Sequence, residues 1–122
     1  MTDANTIRRR KRNRAGQRAE WLALFYMMSK GYLPVAMRYK TPQGEIDLVM
    51  RRGKTLVFVE VKARASREDA AFAIHSKNQT RIVNAARAFL STYANFQGWN
   101  IRFDAIMIAW YRWPHHITHA FS

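Results

Sequence analysis

The sequence predicts an α/β fold, a mixed sheet flanked by helices. Two observations point there. Stretches with apolar residues at helical spacing alternate with short runs of strand-forming residues, in the order helix, three strands, helix, strand. The 122 residues hold no internal repeat and no low-complexity linker, which fits one domain.

Each element has its own warrant. Residues 1–14 lack apolar periodicity and carry Arg8, Arg9, Arg10, Lys11, Arg12 and Arg14, so they read as a disordered basic arm ahead of a domain at 15–122. Residues 15–30 are good helix formers stopped by Gly31. This helix is apolar nearly all round, which predicts burial, and Gly16, Ala19, Ala23 and Met27 form a narrow stripe for close approach to a sheet. Glu20 lies beside that stripe, where a carboxylate is costly to bury unless something pairs with it.

A strand is expected at 33–40, a turn at Thr41-Pro42-Gln43-Gly44, and strands at 45–51 and 55–63. Residues 65–73 read as loop and 75–95 as a second helix, with Ile82, Ala85, Ala86 and Phe89 on its apolar face. A strand at 101–110 and a short one near 116–120 complete the chain.

The hairpin is the informative part. If Gly53-Lys54 is a two-residue turn, Ile46, Leu48 and Met50 share one apolar face with Val61, Val59 and Val57. The other face then opposes Glu45 to Lys62, Asp47 to Glu60, Val49 to Phe58 and Arg51 to Leu56. Like charges opposite one another are destabilising. A divalent cation between them reverses the sign, and magnesium, which prefers oxygen ligands, is the natural candidate. As ordinary solvent-facing residues the same side chains would explain the alternation. They would not explain why three of the chain's eight acids gather on one face.

Composition narrows the partners. Lys and Arg number 21 against 8 acids, a net charge of +13, and 15 basic against 7 acidic residues remain outside the first fourteen. A basic domain of this size suits a polyphosphate, with nucleic acid the expected partner and a solvated basic surface, ribosomes or anionic membrane the alternatives. There is no cysteine, so disulfides and thiolate metal sites are excluded, which fits a reducing cytoplasm. The apolar run from Trp21 to Met28 falls short of the ~20 residues that span a bilayer. Glu20 before it, and no small-residue cleavage site after it, argue against a signal peptide.

Asp47 followed after twelve residues by Glu60-Val61-Lys62 resembles the motif of the PD-(D/E)xK nuclease superfamily. The wider pattern is similar to one branch, the YraN-like family of small bacterial proteins. It runs through Gly16, Ala19-Glu20, Gly31-Tyr32, Gly44-Glu45-Ile46-Asp47-Leu48-Val49, Val57-Phe58-Val59-Glu60-Val61-Lys62-Ala63-Arg64, Arg102-Phe103-Asp104 and Ala120-Phe121. The proline of the superfamily's name is replaced by Ile46, and Lys77, Asn78 and Gln79 crowd the place where the branch often carries a lysine.

The resemblance implies a restriction-endonuclease-like core, near that of archaeal Holliday-junction resolvases, and a Mg2+-dependent endodeoxyribonuclease acting on branched or structured DNA. By resemblance, Asp47, Glu60 and the Val61 carbonyl would hold Mg2+ or Mn2+. Glu20 would approach the same ion, and Lys62 would orient the attacking water. Cutting a junction symmetrically takes two sites, so a homodimer would suit. The alternative is a non-catalytic nucleic-acid-binding module of the same fold; a ribosome- or RNA-associated role for the basic arm is a third reading.

Other residues take lesser parts. Glu45 is expected to partner Lys62, with a metal-linked role as the alternative. Arg64, Lys77 and Arg81, with the arm's cations, are candidate phosphate contacts, and a solvated face explains the helical pair as well. Asp104 reads as structural. Adjacent histidines on a strand point to opposite faces, so His115, His116 and His119 make a poor zinc site. Trp99, Trp110, Tyr111 and Trp113 read as core or oligomer contacts, with base stacking as the alternative.

Overall fold

A computed structural model describes the backbone of residues 4–64, 79–109 and 112–120, and side chains within these except at 4–16 and Arg64. The expected loop at 65–73, the start of the second helix with Lys77, and Trp110 and Tyr111 lie outside the described residues.

Helix α1 spans Ala4–Ser29. Its end follows the sequence: Gly31 takes φ 91°, and Gly31 and Tyr32 donate their amides to the Met28 and Met27 carbonyls at 3.0 and 3.1 Å, a Schellman cap. Its start does not. The helical backbone begins at Ala4, where a disordered arm was expected; residues 4–14 hold no proline and several good helix formers, so a helix anchored by its packed half continues outward.

Strands β1 (Leu33–Thr41), β2 (Gly44–Arg52) and β3 (Thr55–Arg64) form an antiparallel meander. Helix α2 (Gln79–Thr92) and a 3-10 turn at Ala94–Phe96 lead to β4 (Asn100–Ala109), which lies parallel to β3, and β5 (His115–Ile117) closes the sheet antiparallel to β4. The five strands follow chain order, and the whole is an α/β fold consistent with a restriction-endonuclease-like core.

One helix covers each face. Ala19, Ala23 and Met27 of α1 are at most 1% exposed and pack on Leu48, Met50, Val57, Val59, Ile106 and Ile108. Ile82, Ala85, Ala86 and Phe89 of α2 pack on Val49, Leu56, Phe58, Ala105 and Met107. Truncating a core aromatic such as Phe58 or Phe89 typically costs ~3–5 kcal/mol. Burial of α1 all round is corrected: Trp21, Leu22, Phe25 and Met28 point away from the sheet and are 43–60% exposed. The helix has a single layer beneath it and nothing among the described residues above.

The β2–β3 turn has the expected form. Arg52 pairs Thr55, and of the two turn residues only Gly53 has positive φ (60°), the type II′ pattern. The register from Arg52–Thr55 to Leu48–Val59 is the one expected, and there it stops. Ile46 also departs from expectation, joining the core under α2 while Leu48 joins the core under α1. Its partner Tyr39 lies under α2 as well, two residues from Met37 on the other side. Arg38, between them, has φ 52°, and this left-handed residue turns the hairpin over. Asp47 sits at the same inflection, and the tip beyond it bends onto α2.

Gly44 makes the bend possible. A Cβ there would stand 2.8 Å from the Arg81 carbonyl oxygen, whereas one at Gly53 would meet nothing within 4 Å. Gly44→Ala should therefore cost roughly 1–3 kcal/mol in urea denaturation, and Gly53→Asn less than about 1 kcal/mol. Equal losses would contradict this account of the hairpin tip.

Candidate active site

At the end of the sheet where β2 and β3 part, a pocket of about 240 Å3 is lined by Glu45, Asp47, Glu60, Lys62, Arg81 and Ile82. Its position follows from the inflection. Beyond Leu48 and Val59 the strands no longer exchange backbone hydrogen bonds, and the Asp47 carboxylate instead accepts the Val61 amide at 2.8 Å. Direct cross-strand pairs of Asp47 with Glu60 and Glu45 with Lys62 are thus not formed. A side chain has taken over one rung of the ladder, and the strands splay around it.

Asp47 and Glu60 face this pocket from β2 and β3, and Glu20 of α1 acts on Asp47 through its charge. Burial, outweighing the Val61 hydrogen bond and reinforced by the negative charges of Glu20 and Glu60, pushes the Asp47 carboxyl up to about 7. Glu60 is buried, 7% exposed, and Lys62 Nζ sits 3.0 Å from its Oε1. Its Oε2 is buried with no hydrogen-bond partner. Glu20, from α1, is held by Arg38, whose Nε donates to Oε2 at 2.5 Å.

The fold brings Asp47, Glu60 and Lys62 to one pocket, with the charge of Glu20 felt at Asp47. Glu45 is exposed on the pocket's rim; Lys62 pairs with Glu60 instead of with Glu45. Arg81 lines the pocket from α2. The backbone of Arg64 pairs with Ala109, but its side chain, those of Arg8, Arg9, Arg10, Lys11, Arg12 and Arg14, and all of Lys77 lie outside the described set. Arg38 was missed. The need for a partner at Glu20 was legible; nothing in the sequence distinguishes Arg38 from the other cations.

The residues fit a cation in part. An unpaired buried carboxylate oxygen beside a carboxyl that resists ionising is a site short of positive charge. Yet among the described residues no three His, Asp or Glu side chains converge closely enough to hold an ion as they stand. Asp47 and Glu60 supply two anionic donors, and the third, Glu20, is engaged elsewhere.

On the neighbouring strand β4, where it pairs with Val59, Asp104 has the structural part expected of it. Fully buried, it accepts from Arg102 at 2.7 and 2.8 Å and from the His119 amide at 3.2 Å, and lies 2.7 Å from His116 Nε2. Burial alone would raise its pKa, but the hydrogen bonds from His116 and Arg102 outweigh it and hold the carboxyl below its ordinary value. His116 Nδ1 stands 2.7 Å from Lys30 Nζ, so the ring ties β5 to the end of α1 and both its nitrogens are engaged. Trp99 packs edge-on against Phe96, and Trp113 is 73% exposed against Tyr26.

The Asp47 shift has a measurable sign. In the unfolded chain the carboxyl ionises near 3.8 and in the folded chain near 7, so the folded protein holds the extra proton between those values. The stability this proton confers is complete below pH 3.8 and lost as pH rises through 7. Asp47→Asn keeps an acceptor for Val61 and cannot ionise. With a chelator present it should be more stable than wild type at pH 8, by roughly 2–4 kcal/mol, and about equal at pH 4. Melting curves that stay parallel from pH 4 to 8 would contradict the assignment.

Comparison with known proteins agrees with the geometry in extent. The profile described as uncharacterised protein family UPF0102 matches residues 19–108, the span that carries Glu20, Asp47, Glu60 and Lys62. The chain is similar to a UPF0102 protein of Methylorubrum extorquens, 47% identical over 94% of this chain and 90% of the relative. One from Nitrobacter winogradskyi is 50% identical over 88% and 92%, and one from Mesorhizobium japonicum 44% identical over 99% and 97%. With its profile matched over most of its length and relatives alike nearly end to end, the chain belongs to the uncharacterised protein family UPF0102, the YraN family.

Proposed function

We propose that the protein is a divalent-cation-dependent endonuclease that hydrolyses phosphodiester bonds in DNA, with branched or structured DNA as its substrate class. The observation that carries this reading is the pocket where Asp47, the buried unpaired Oε2 of Glu60 and the Lys62 ammonium face one another. Asp47 and Glu60, with the Val61 carbonyl, are the groups that would hold Mg2+ or Mn2+. When bound, the ion supplies Lewis-acid polarisation of a phosphoryl oxygen and acidifies water.

The chain's own groups supply the rest. Lys62 offers preorganised positive charge where negative charge develops on the phosphate, and Glu60 holds its ammonium in place. Arg81, on the pocket wall, would bind a neighbouring phosphate. The net charge of +13 supports a polyanionic partner and makes its binding salt-dependent. No helix among the described residues is long and apolar enough to cross a membrane. Symmetric cutting of a four-way junction calls for a homodimer, which belongs to the same proposal.

A second reading is a binding module without chemistry. It is favoured by the absence, among the described residues, of three converged acids, and by the counter-ions already on Glu60 and Glu20. The two readings part on one panel: purified protein with Mg2+ or Mn2+ on duplex, single-stranded, flap and four-way DNA. The nuclease reading expects cleavage that Asp47→Ala and Glu60→Gln each reduce by roughly 10²–10³-fold or more while binding persists. At low cation concentration the rate should climb as pH rises through about 7, because Asp47 must shed its proton to bind the ion. Binding without cleavage on every substrate would leave only the module.

A further inference from the structure

Arg38 is the feature that neither the sequence pattern nor the proposed chemistry uses. It has the left-handed backbone φ of 52°, uncommon for a residue with a side chain. Its guanidinium reaches Glu20 through Nε alone, and Nη2 is buried with no partner. A structural arginine–carboxylate pair typically closes two parallel hydrogen bonds. This one closes one and leaves a buried donor unsatisfied.

What Glu20 does when released follows from where it stands. Its charge already raises the proton affinity of Asp47, so it lies in reach of the same corner. The corner also contains Glu60, nine-tenths buried, with Oε2 unpaired. As the side chains stand, no third acid joins these two among the described residues. Glu20 is instead paired with Arg38.

We propose that Arg38 is an exchangeable counter-ion: it neutralises Glu20 while the site lacks a divalent cation, and gives Glu20 up when the ion enters. Arg38 is then a positioning residue that sets cation affinity, and it acts against binding, both by its own positive charge and by withholding the third carboxylate. This rests on the cation-binding reading given above. A merely structural ion pair makes the opposite forecast, since losing it would loosen α1 and weaken the site.

The test is Mn2+ binding to the full chain, followed by the loss of the free-ion signal in electron paramagnetic resonance, with no DNA present. Arg38→Gln should bind Mn2+ about tenfold more tightly than wild type, as expected for removing one charge in partial burial. Arg38→Lys, which keeps the charge, should stay close to wild type. In the Glu20→Gln background the tightening by Arg38→Gln should largely vanish, since the two residues act as a pair. Should Arg38→Gln fail to fold, Arg38→Met, which also removes the charge while keeping the aliphatic stem, carries the same expectation alone and in the Glu20→Gln background. Weakened or unchanged Mn2+ affinity in folded Arg38→Gln, where wild type binds and Asp47→Asn does not, overturns this inference and leaves the endonuclease reading intact. No Asp47-dependent Mn2+ binding in wild type overturns both.

Discussion

Two carboxylates share one partly buried corner of the sheet, a third acts on them through its charge, and each is held by a different group. The Val61 amide holds Asp47, the Lys62 ammonium holds Glu60, and the Arg38 guanidinium holds Glu20. Burying like charges together is expensive, and a protein normally avoids it by separation or protonation. Here separation is prevented by the fold, since α1, β2 and β3 each deliver one acid. Protonation is the outcome at Asp47, whose carboxyl keeps its proton to about pH 7.

The backbone explains how the corner is built. Two helices cover the two faces of a five-stranded sheet, so the apolar residues of its central strands belong to one core or the other. A polar site needs a place where that rule lapses. It lapses at the hairpin inflection, where Arg38 takes positive φ, Ile46 changes sides, and Gly44 lets the tip close on the α2 backbone. Asp47 lies at the point of change and Glu60 at the start of the splayed part of β3. The strain of the inflection and the cost of the charges sit together at the same few residues, as they often do where a structure serves binding or chemistry.

Much of this was legible in the sequence, for physical reasons. Gly53 fixes a two-residue turn, and a two-residue turn fixes register, so Leu48 to Arg52 pair as expected with Val59 to Thr55. The 3.6-residue spacing of Ile82, Ala85, Ala86 and Phe89 named the buried face of α2. The acids and the lysine of the site follow from the motif, since the expected register ends at Leu48 and Val59, one residue short of Asp47 and Glu60. What was not legible depends on contacts between distant segments. No local propensity signals positive φ at Arg38, so the hairpin's turn-over, and with it the side taken by Ile46, stays hidden. Hydrophobicity likewise does not say that Trp21, Leu22, Phe25 and Met28 face outward, because it ranks residues and not the layers available to cover them.

The central claim is that this corner is a cation site completed by the chain's own acids. Crystals grown with Mn2+ and measured at a wavelength giving strong manganese anomalous scattering test it most directly. The account expects one dominant anomalous peak within coordination distance of Asp47, Glu60 and the Val61 carbonyl, with Glu20 turned away from Arg38. A peak elsewhere, or none in crystals soaked at millimolar Mn2+ above pH 7, would contradict it.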